Sequence, residues 1–131
     1  MNLLLDTHAL LWWRHGNKKL GARARAAITR GAPDVRVSAA TAWEISSKFY
    51  LRRLTLPAPA EAWMSAALND SGFRPLPITV EHAVAAGALP QVHGDPFDRM
   101  LIAQAQLENL TIVTSDTVFD AYDVKVLDAR R

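Results

Sequence analysis

The sequence predicts an α/β fold in which helices pack on a parallel sheet. Short segments rich in leucine, valine, isoleucine and threonine recur along the chain, as is typical of buried strands. Segments with helical character separate them, which favours right-handed helical crossovers between parallel strands. The predicted strands cover residues 2–5, 35–38, 73–77, 110–114 and 124–127. The predicted helices cover residues 7–15, 22–30, 38 or 41 to about 53, 60–70, 79–86 and 95–108.

The boundaries in the first part of the chain follow from residues that end regular structure. Asp6 directly follows the first apolar run, so the first strand ends there. The helix after it stops at Gly16. The second helix ends at Gly31, because glycine favours a helix C-terminus and Pro33 lies just beyond it.

The later helices are bounded by similar residues. The third helix has a serine or threonine cap at either possible start, and its end is marked by Pro57. Gly72 stops the fourth helix, and Thr79 caps the fifth. The sixth has the clearest start, with Pro96 at its first helical position, and Asn109 ends it.

Length and composition exclude several protein classes. The chain has 131 residues, of which 50% are hydrophobic and 21% are charged, so one packed domain spanning residues 1–131 is expected. It has no cysteine, which excludes a disulfide scaffold, a zinc finger and a thiol nucleophile. The longest unbroken apolar run covers residues 9–13, far short of a membrane span, and no export signal opens the chain. We therefore expect a cytoplasmic protein without membrane contact.

The charges are distributed unevenly along the chain. Residues 1–56 hold ten Lys or Arg and three acids, whereas residues 57–131 hold five and ten. A basic flank attracts polyanions such as nucleic acid, although basic faces are often only solvated. The acid-rich remainder leaves carboxylates available for another purpose.

Four acidic residues lie just after predicted strands or in the first turns of predicted helices, where parallel sheets commonly carry their functional side chains. Asp6 ends the first strand, and Asp116 follows the fourth by two residues. Glu44 and Asp98 lie in the first turns of two helices. These side chains meet at one edge of the sheet if the first and fourth strands are neighbours. Such an oxygen-rich pocket would suit Mg²⁺ or Mn²⁺ better than Zn²⁺.

Helix capping is an alternative role for some of these acids. Asp95 precedes Pro96 and is better explained as a cap than as a ligand. A second interpretation of Asp98 is an acid that interacts favourably with the helix dipole, and a second interpretation of Asp116 is a cap of the following turn. Spacing leaves both roles open for these two residues.

Glu44 and Asp6 differ in how well an ordinary structural role explains them. Glu44 lies four residues before Lys48 and opposite Ile45 on the helix, so periodicity favours an exposed ion pair. Asp6 adjoins three leucines, where a charge needs a partner or an ion. The apolar neighbours of Asp6 therefore favour a functional role for it, whereas periodicity favours a surface role for Glu44.

The histidines and tryptophans carry less information. The four histidines have no metal-ligand spacing and are predicted to be packed or surface residues, with His8 the one candidate to support Asp6. Tryptophans on apolar helices favour core packing or a protein interface over base stacking. They are Trp12, Trp13, Trp43 and Trp63.

Four segments, in order along almost the whole chain, resemble motifs of PIN-domain ribonucleases. The likeness is strongest to the VapC toxins of type II toxin–antitoxin systems. The segments are LLLDTHALLW at 3–12, SAATAWEI at 38–45 followed by Lys48, HGDPFDRMLIAQA at 93–105, and LTIVTSD at 110–116.

This resemblance implies a fold and an activity. The fold would be a Rossmann-like three-layer α/β/α sandwich with a central, mostly parallel sheet of four to five short strands, the first and fourth adjacent. The activity would be that of a Mg²⁺-dependent endoribonuclease, with Mn²⁺ able to substitute. Asp6 and Asp98 would be the main metal ligands, and Glu44 and Asp116 would complete the acidic quartet.

The resemblance also implies partners. VapC toxins are typically homodimers silenced by a VapB-type antitoxin, and operator DNA would be bound only through that antitoxin. Candidate antitoxin surfaces are residues 10–13 and the aromatic group of Trp43, Phe49 and Tyr50. Arg99 and the basic residues of the first half are candidates to contact phosphates of a tRNA or rRNA substrate.

Two other functions compete with the nuclease. One is a non-catalytic module that binds the antitoxin and operator DNA. The other is phosphoryl transfer to small molecules with Asp6 as nucleophile, although no second Asp lies two residues after it.

Overall fold

The computed structural model describes residues 2–131 and contains a five-stranded parallel sheet. The strands are β1 (Leu3–Leu5), β2 (Val35–Ser38), β3 (Arg74–Leu76), β4 (Thr111–Thr114) and β5 (Lys125–Asp128). Their order across the sheet is β3-β2-β1-β4-β5, and every neighbouring pair is parallel. The predicted parallel α/β sheet is therefore confirmed, with all five predicted strands present.

Six α-helices connect the strands. They are α1 (Thr7–His15), α2 (Ala22–Gly31), α3 (Ala39–Tyr50), α4 (Ala60–Ser71), α5 (Val80–Ala88) and α6 (Pro96–Glu108). Two short 3₁₀ turns, Ala32–Asp34 and Thr117–Ala121, complete the regular structure. Within residues 2–131, no helix combines the length and the apolar character that crossing a bilayer requires.

The third helix is shorter than predicted. It ends at Tyr50 rather than near Arg53, because Arg52 adopts a left-handed φ of 59°. The amide of Arg53 donates to the carbonyl of Lys48 at 2.8 Å, which closes the helix end without glycine. The left-handed residue is an arginine, so no residue type that typically ends a helix marks this point.

Two apolar layers cover the two faces of the sheet. Leu3 and Leu5 point to the layer that contains Leu10 of α1 and Ile45 of α3, whereas Leu4 belongs to the opposite layer with α6. All three strand leucines are fully buried. This is the expected α/β/α sandwich, since successive side chains of a strand point to opposite faces.

The strand order changes direction between β1 and β4. From β1 the chain moves outward through β2 to β3, and it then returns to place β4 on the other side of β1. Leu5 pairs with Val113, and the amide of Asp6 donates to the carbonyl of Val113 at 3.1 Å. The carboxyl ends of β1 and β4 therefore lie side by side at the switch point where α/β folds commonly bind ligands.

Gly21 allows the end of the chain to pack against α2. Its amide donates to the carbonyl of Ala129 at 2.9 Å, and a Cβ at this position would lie 2.1 Å from the carbonyl carbon of Arg131. We predict that Gly21→Ala displaces this segment and lowers the free energy of unfolding by about 1–3 kcal/mol. Gly87→Ala is the matched control, because a Cβ there meets nothing within 4 Å and alanine is the better helix former. Chemical denaturation of both variants tests this, and equal stability of Gly21→Ala and the parent would contradict it.

Candidate metal centre

Asp6 is held at the carboxyl end of β1 by two neutral donors. Its Oδ1 caps α1 by accepting from the amide of Ala9 at 2.8 Å. Its Oδ2 accepts from the hydroxyl of Thr114, at the end of β4, at 2.6 Å. The side chain is buried, and burial raises the pKa of Asp6 despite these hydrogen bonds. The strand adjacency required for a shared acidic site is thus present.

Glu44 is buried and not, as periodicity suggested, on the surface. Only 8% of the residue is exposed, and its Oε1 accepts from the hydroxyl of Thr7 at 2.5 Å. Its Oε2 accepts from Lys48, so the expected pair with Lys48 exists. The exposed-face interpretation was wrong because the first turn of α1 lies against this side of α3. Glu44 therefore lies beside the residue that follows Asp6.

Asp98 lies in the first turn of α6 and contacts His93. The Nε2 of His93 is 2.9 Å from Oδ2 of Asp98. Burial, with smaller contributions from the charges of Asp95 and Glu44, raises the pKa of Asp98 to about 6, although the hydrogen bond with His93 opposes this. Asp95 acts as the predicted cap, since its Oδ1 accepts from the amides of Phe97 and Asp98.

Electrostatic coupling joins three of the four predicted acids. The charge of Glu44 contributes to the raised pKa of both Asp6 and Asp98, so Glu44 is close enough to act on both. Among residues 2–131, Lys48 is the one lysine or arginine paired with these three acids, and His93 lies beside Asp98. Several partly buried carboxylates with so little compensating charge fit a divalent cation, and their oxygens are the ligands that Mg²⁺ prefers.

Asp116 lies at the margin of this cluster. Its amide donates at 3.0 Å to the hydroxyl of Thr114, which in turn donates to Asp6. Its exposed carboxylate caps the following 3₁₀ turn by accepting from the amide of Val118. The structure therefore places Glu44 where its charge acts on both Asp6 and Asp98, and it connects Asp116 to Asp6 through Thr114. Among residues 2–131, the possible ligand atoms that lie within 4.8 Å of one another are those of His93, Asp95 and Asp98.

Arg99 does not have the role expected from the sequence. Its guanidinium is buried and donates to five backbone carbonyls, two in the last turn of α5 and three in the segment between α5 and α6, so it is not available to bind phosphate. His93 also differs from expectation, because it contacts Asp98 directly. A histidine five residues before a candidate acid was the only sequence signal for this contact. His8 is exposed, and its charge acts only weakly on Asp6.

The two candidate antitoxin surfaces differ in exposure. Leu10, Leu11 and Trp12 are part of the core, so the first surface is mostly buried. Trp43 and Tyr50 are 63% and 60% exposed. Trp43 packs edge-to-face on Phe97 at a centroid distance of 5.1 Å. Only the second surface thus offers large exposed aromatic side chains.

Comparison with known proteins identifies the family. A family model described as "PIN domain" matches residues 3–125. The chain belongs to the PIN-domain family. PIN domains are in general nucleases and generally use divalent metals, so hydrolysis of nucleic acid is the activity class of this fold. The resemblance carried by the four sequence motifs is confirmed, whereas no curated protein matches the chain significantly.

Chains in several solved structures share this PIN fold. A chain of FitAcB from Neisseria gonorrhoeae is 24% identical, with a TM-score of 0.69 and 97% of each chain covered. A chain of a toxin–antitoxin complex from Klebsiella pneumoniae is 23% identical, with a TM-score of 0.66 and 97% of each chain covered. A chain of VapBC2 from Rickettsia felis, bound to a promoter DNA fragment, is 14% identical, with a TM-score of 0.72 and coverage of 97% and 98%. At these identities the likeness establishes the fold.

The raised pKa of Asp98 predicts that removing its charge stabilises the metal-free PIN domain. The pKa of Asp98 is about 6 in the folded protein, against an ordinary 3.8, so the protonated carboxyl group favours folding. Its contribution to the free energy of unfolding is fully present below pH 3.8 and is lost as the pH rises through 6. In EDTA at pH 7.5, Asp98→Asn should raise the free energy of unfolding by up to about 3 kcal/mol, and the gain should disappear near pH 4. Thermal unfolding measured by circular dichroism tests this, with exposed Asp120→Asn as control. A lower melting temperature for Asp98→Asn at pH 7.5 would show the opposite sign.

Proposed function

We propose that this protein is the toxin of a type II toxin–antitoxin system and acts as a Mg²⁺-dependent endoribonuclease, with Mn²⁺ able to substitute. The observation that carries the proposal is the group of Asp6, Glu44 and Asp98 at the switch point of a PIN-domain sheet. These carboxylates come from three separate elements, and two of them have raised pKa values. A cluster of this kind destabilises the fold unless a cation neutralises it, which favours a functional explanation.

Asp6 and Asp98 are proposed as the main metal ligands, with Glu44 and Asp116 completing the quartet. A divalent cation bound there would lower the pKa of water and stabilise charge on a phosphodiester. Thr114 and the amide of Ala9 hold Asp6, while Thr7 and Lys48 hold Glu44, so these two carboxylates are oriented in advance. Asp116 is linked to the site only by its backbone amide, and we propose that its carboxylate acts through water.

The proposed assembly follows the structural neighbours. The Klebsiella pneumoniae chain belongs to a toxin–antitoxin complex, and the Rickettsia felis complex is bound to promoter DNA. We propose a VapB-type antitoxin as partner, contact with operator DNA only through it, and a homodimer of this chain. Trp43 and Tyr50 offer exposed aromatic surface for the antitoxin. The substrate is proposed to be tRNA or rRNA, attracted by the basic first half of the chain.

The two alternative functions are less well supported. An inert binding module would have no use for destabilising carboxylates in its interior. The hydrogen bonds from Ala9 and Thr114 orient the carboxylate of Asp6, and no second Asp lies two residues after it to support an aspartyl nucleophile. The nuclease accounts for both features, since ligand carboxylates benefit from such orientation.

RNA cleavage by the antitoxin-free protein tests the function. With Mg²⁺ or Mn²⁺, we expect cuts at discrete sites in total tRNA or rRNA, and none in EDTA. Asp6→Asn should lower the cleavage rate by about 100-fold or more, because it removes a carboxylate ligand of the metal. Asp120→Asn is the matched control, since Asp120 is exposed and the hydrogen-bond donors to the Asp6 carboxylate are Ala9 and Thr114.

The outcomes separate the alternatives. Cleavage that persists in EDTA and in Asp6→Asn would come from a contaminant and would remove support for the nuclease. If folded, metal-loaded protein cuts neither RNA class but binds antitoxin, the binding module becomes the better explanation. A trapped phospho-enzyme would favour the small-molecule reaction.

A further inference from the structure

The segment between α5 and α6 presents a histidine to the candidate metal centre. Nε2 of His93 lies 2.9 Å from Oδ2 of Asp98, and both side chains are partly buried. An ionised carboxylate only accepts hydrogen bonds, so the imidazole donates from Nε2. This contact fixes one oxygen of Asp98 from outside the helix that carries it.

Arg99 anchors this segment to the helix that carries Asp98. It is the next residue in α6, and its buried guanidinium makes hydrogen bonds of 2.9–3.3 Å. The acceptors are the carbonyls of Ala86, Gly87, Leu89, Pro90 and His93. Three of these acceptors lie beyond the end of α5, so Arg99 does more than satisfy the last carbonyls of that helix.

Tyr122 holds the same segment from another element. Its hydroxyl accepts from the amide of His93 at 3.0 Å and donates to the carbonyl of Pro90 at 3.2 Å. Tyr122 is buried and packs in the core layer of α6. The amide and the carbonyl of His93 are therefore both bonded to buried side chains, which restricts the position of the imidazole.

We propose that His93 is a positioning residue of the metal centre, held by Arg99 and Tyr122 so that it orients the carboxylate of Asp98. The inference rests on the proposed function, because it takes Asp98 as a metal ligand. Residues that hydrogen-bond a ligand in this way typically contribute 10- to 100-fold to metal affinity. Neither composition nor spacing assigned this role to His93.

A direct ligand role is the main alternative. Ligand atoms of His93, Asp95 and Asp98 lie within 4.8 Å of one another, so together they could also surround an ion. His93 already contacts Asp98, which favours support of that carboxylate over ligation.

Mn²⁺ binding to the full chain, measured by calorimetry and electron paramagnetic resonance, tests the proposal without an activity assay. We expect His93→Ala to weaken Mn²⁺ binding about 10- to 100-fold. His93→Gln should restore most of the affinity, because its amide N–H replaces the Nε2 donor. Val92→Ala is the control, since this neighbouring side chain is exposed. Melting curves establish that each variant is folded.

Tyr122→Phe tests the anchoring separately. It removes both hydroxyl contacts with the segment but keeps the buried ring. We expect weaker Mn²⁺ binding in the parent background and no further loss in the His93→Ala background, because both changes act on the same contact. If the Tyr122 hydroxyl only stabilised the fold, Tyr122→Phe would instead weaken Mn²⁺ binding by the same factor in both backgrounds.

The results distinguish failure of this inference from failure of the proposed function. Loss of Mn²⁺ binding in Asp98→Asn, with unchanged binding in His93→Ala, would overturn only the positioning role. Equal and severe loss in His93→Ala and His93→Gln would make His93 a ligand and also overturn it. Unchanged binding in Asp98→Asn, or no binding by the parent, would overturn the proposed metal site itself.

Discussion

The hydrogen bond between Thr114 and Asp6 links the two strands on which the site depends. It joins the carboxyl ends of β1 and β4, which are far apart in sequence and adjacent only because the strand order changes direction at β1. Parallel pairing fixes Leu5 opposite Val113, so the residues that follow each strand must meet at the same edge. Asp6, the amide of Asp116 and the first turn of α1 are all placed by that pairing.

Neutral hydrogen-bond donors contact the carboxylates of Asp6 and Glu44 at this edge of the sheet. Asp6 accepts from a hydroxyl and a backbone amide, and Glu44 accepts from a hydroxyl as well as from Lys48. Hydrogen bonds from neutral groups orient a carboxylate while leaving its charge uncompensated. Oriented but unneutralised carboxylates are suited to binding a divalent cation, whereas a set fully paired with lysine and arginine would not be. The burial of Arg99 against carbonyls fits the same arrangement, since it keeps a nearby cation away from the acids.

Most of the fold could be predicted from the sequence, because its signals are local. Apolar runs, capping residues and helix-ending glycines indicated the position of each strand and helix. The predicted end of α3 near Arg53 was wrong because Arg52 adopts a left-handed conformation. The site was less predictable. Asp6 could be singled out because a charge beside three leucines needs an explanation. Glu44 could not, because helical periodicity describes only one helix, and its burial depends on Thr7 of another. The contacts of His93 and Arg99 likewise depend on a loop path that no periodicity encodes.

The same geometry connects metal binding to the stability of the fold. Burial raises the pKa values of Asp6 and Asp98, so ionisation of these carboxyl groups opposes folding. A cation that binds only the folded protein would reverse this effect, because its binding free energy adds to the free energy of unfolding. Asp6 directly follows β1, whereas Glu44 and Asp98 lie in α3 and α6, and these three elements contribute to both core layers. Metal occupancy is therefore expected to stabilise the whole domain cooperatively and not only the local site.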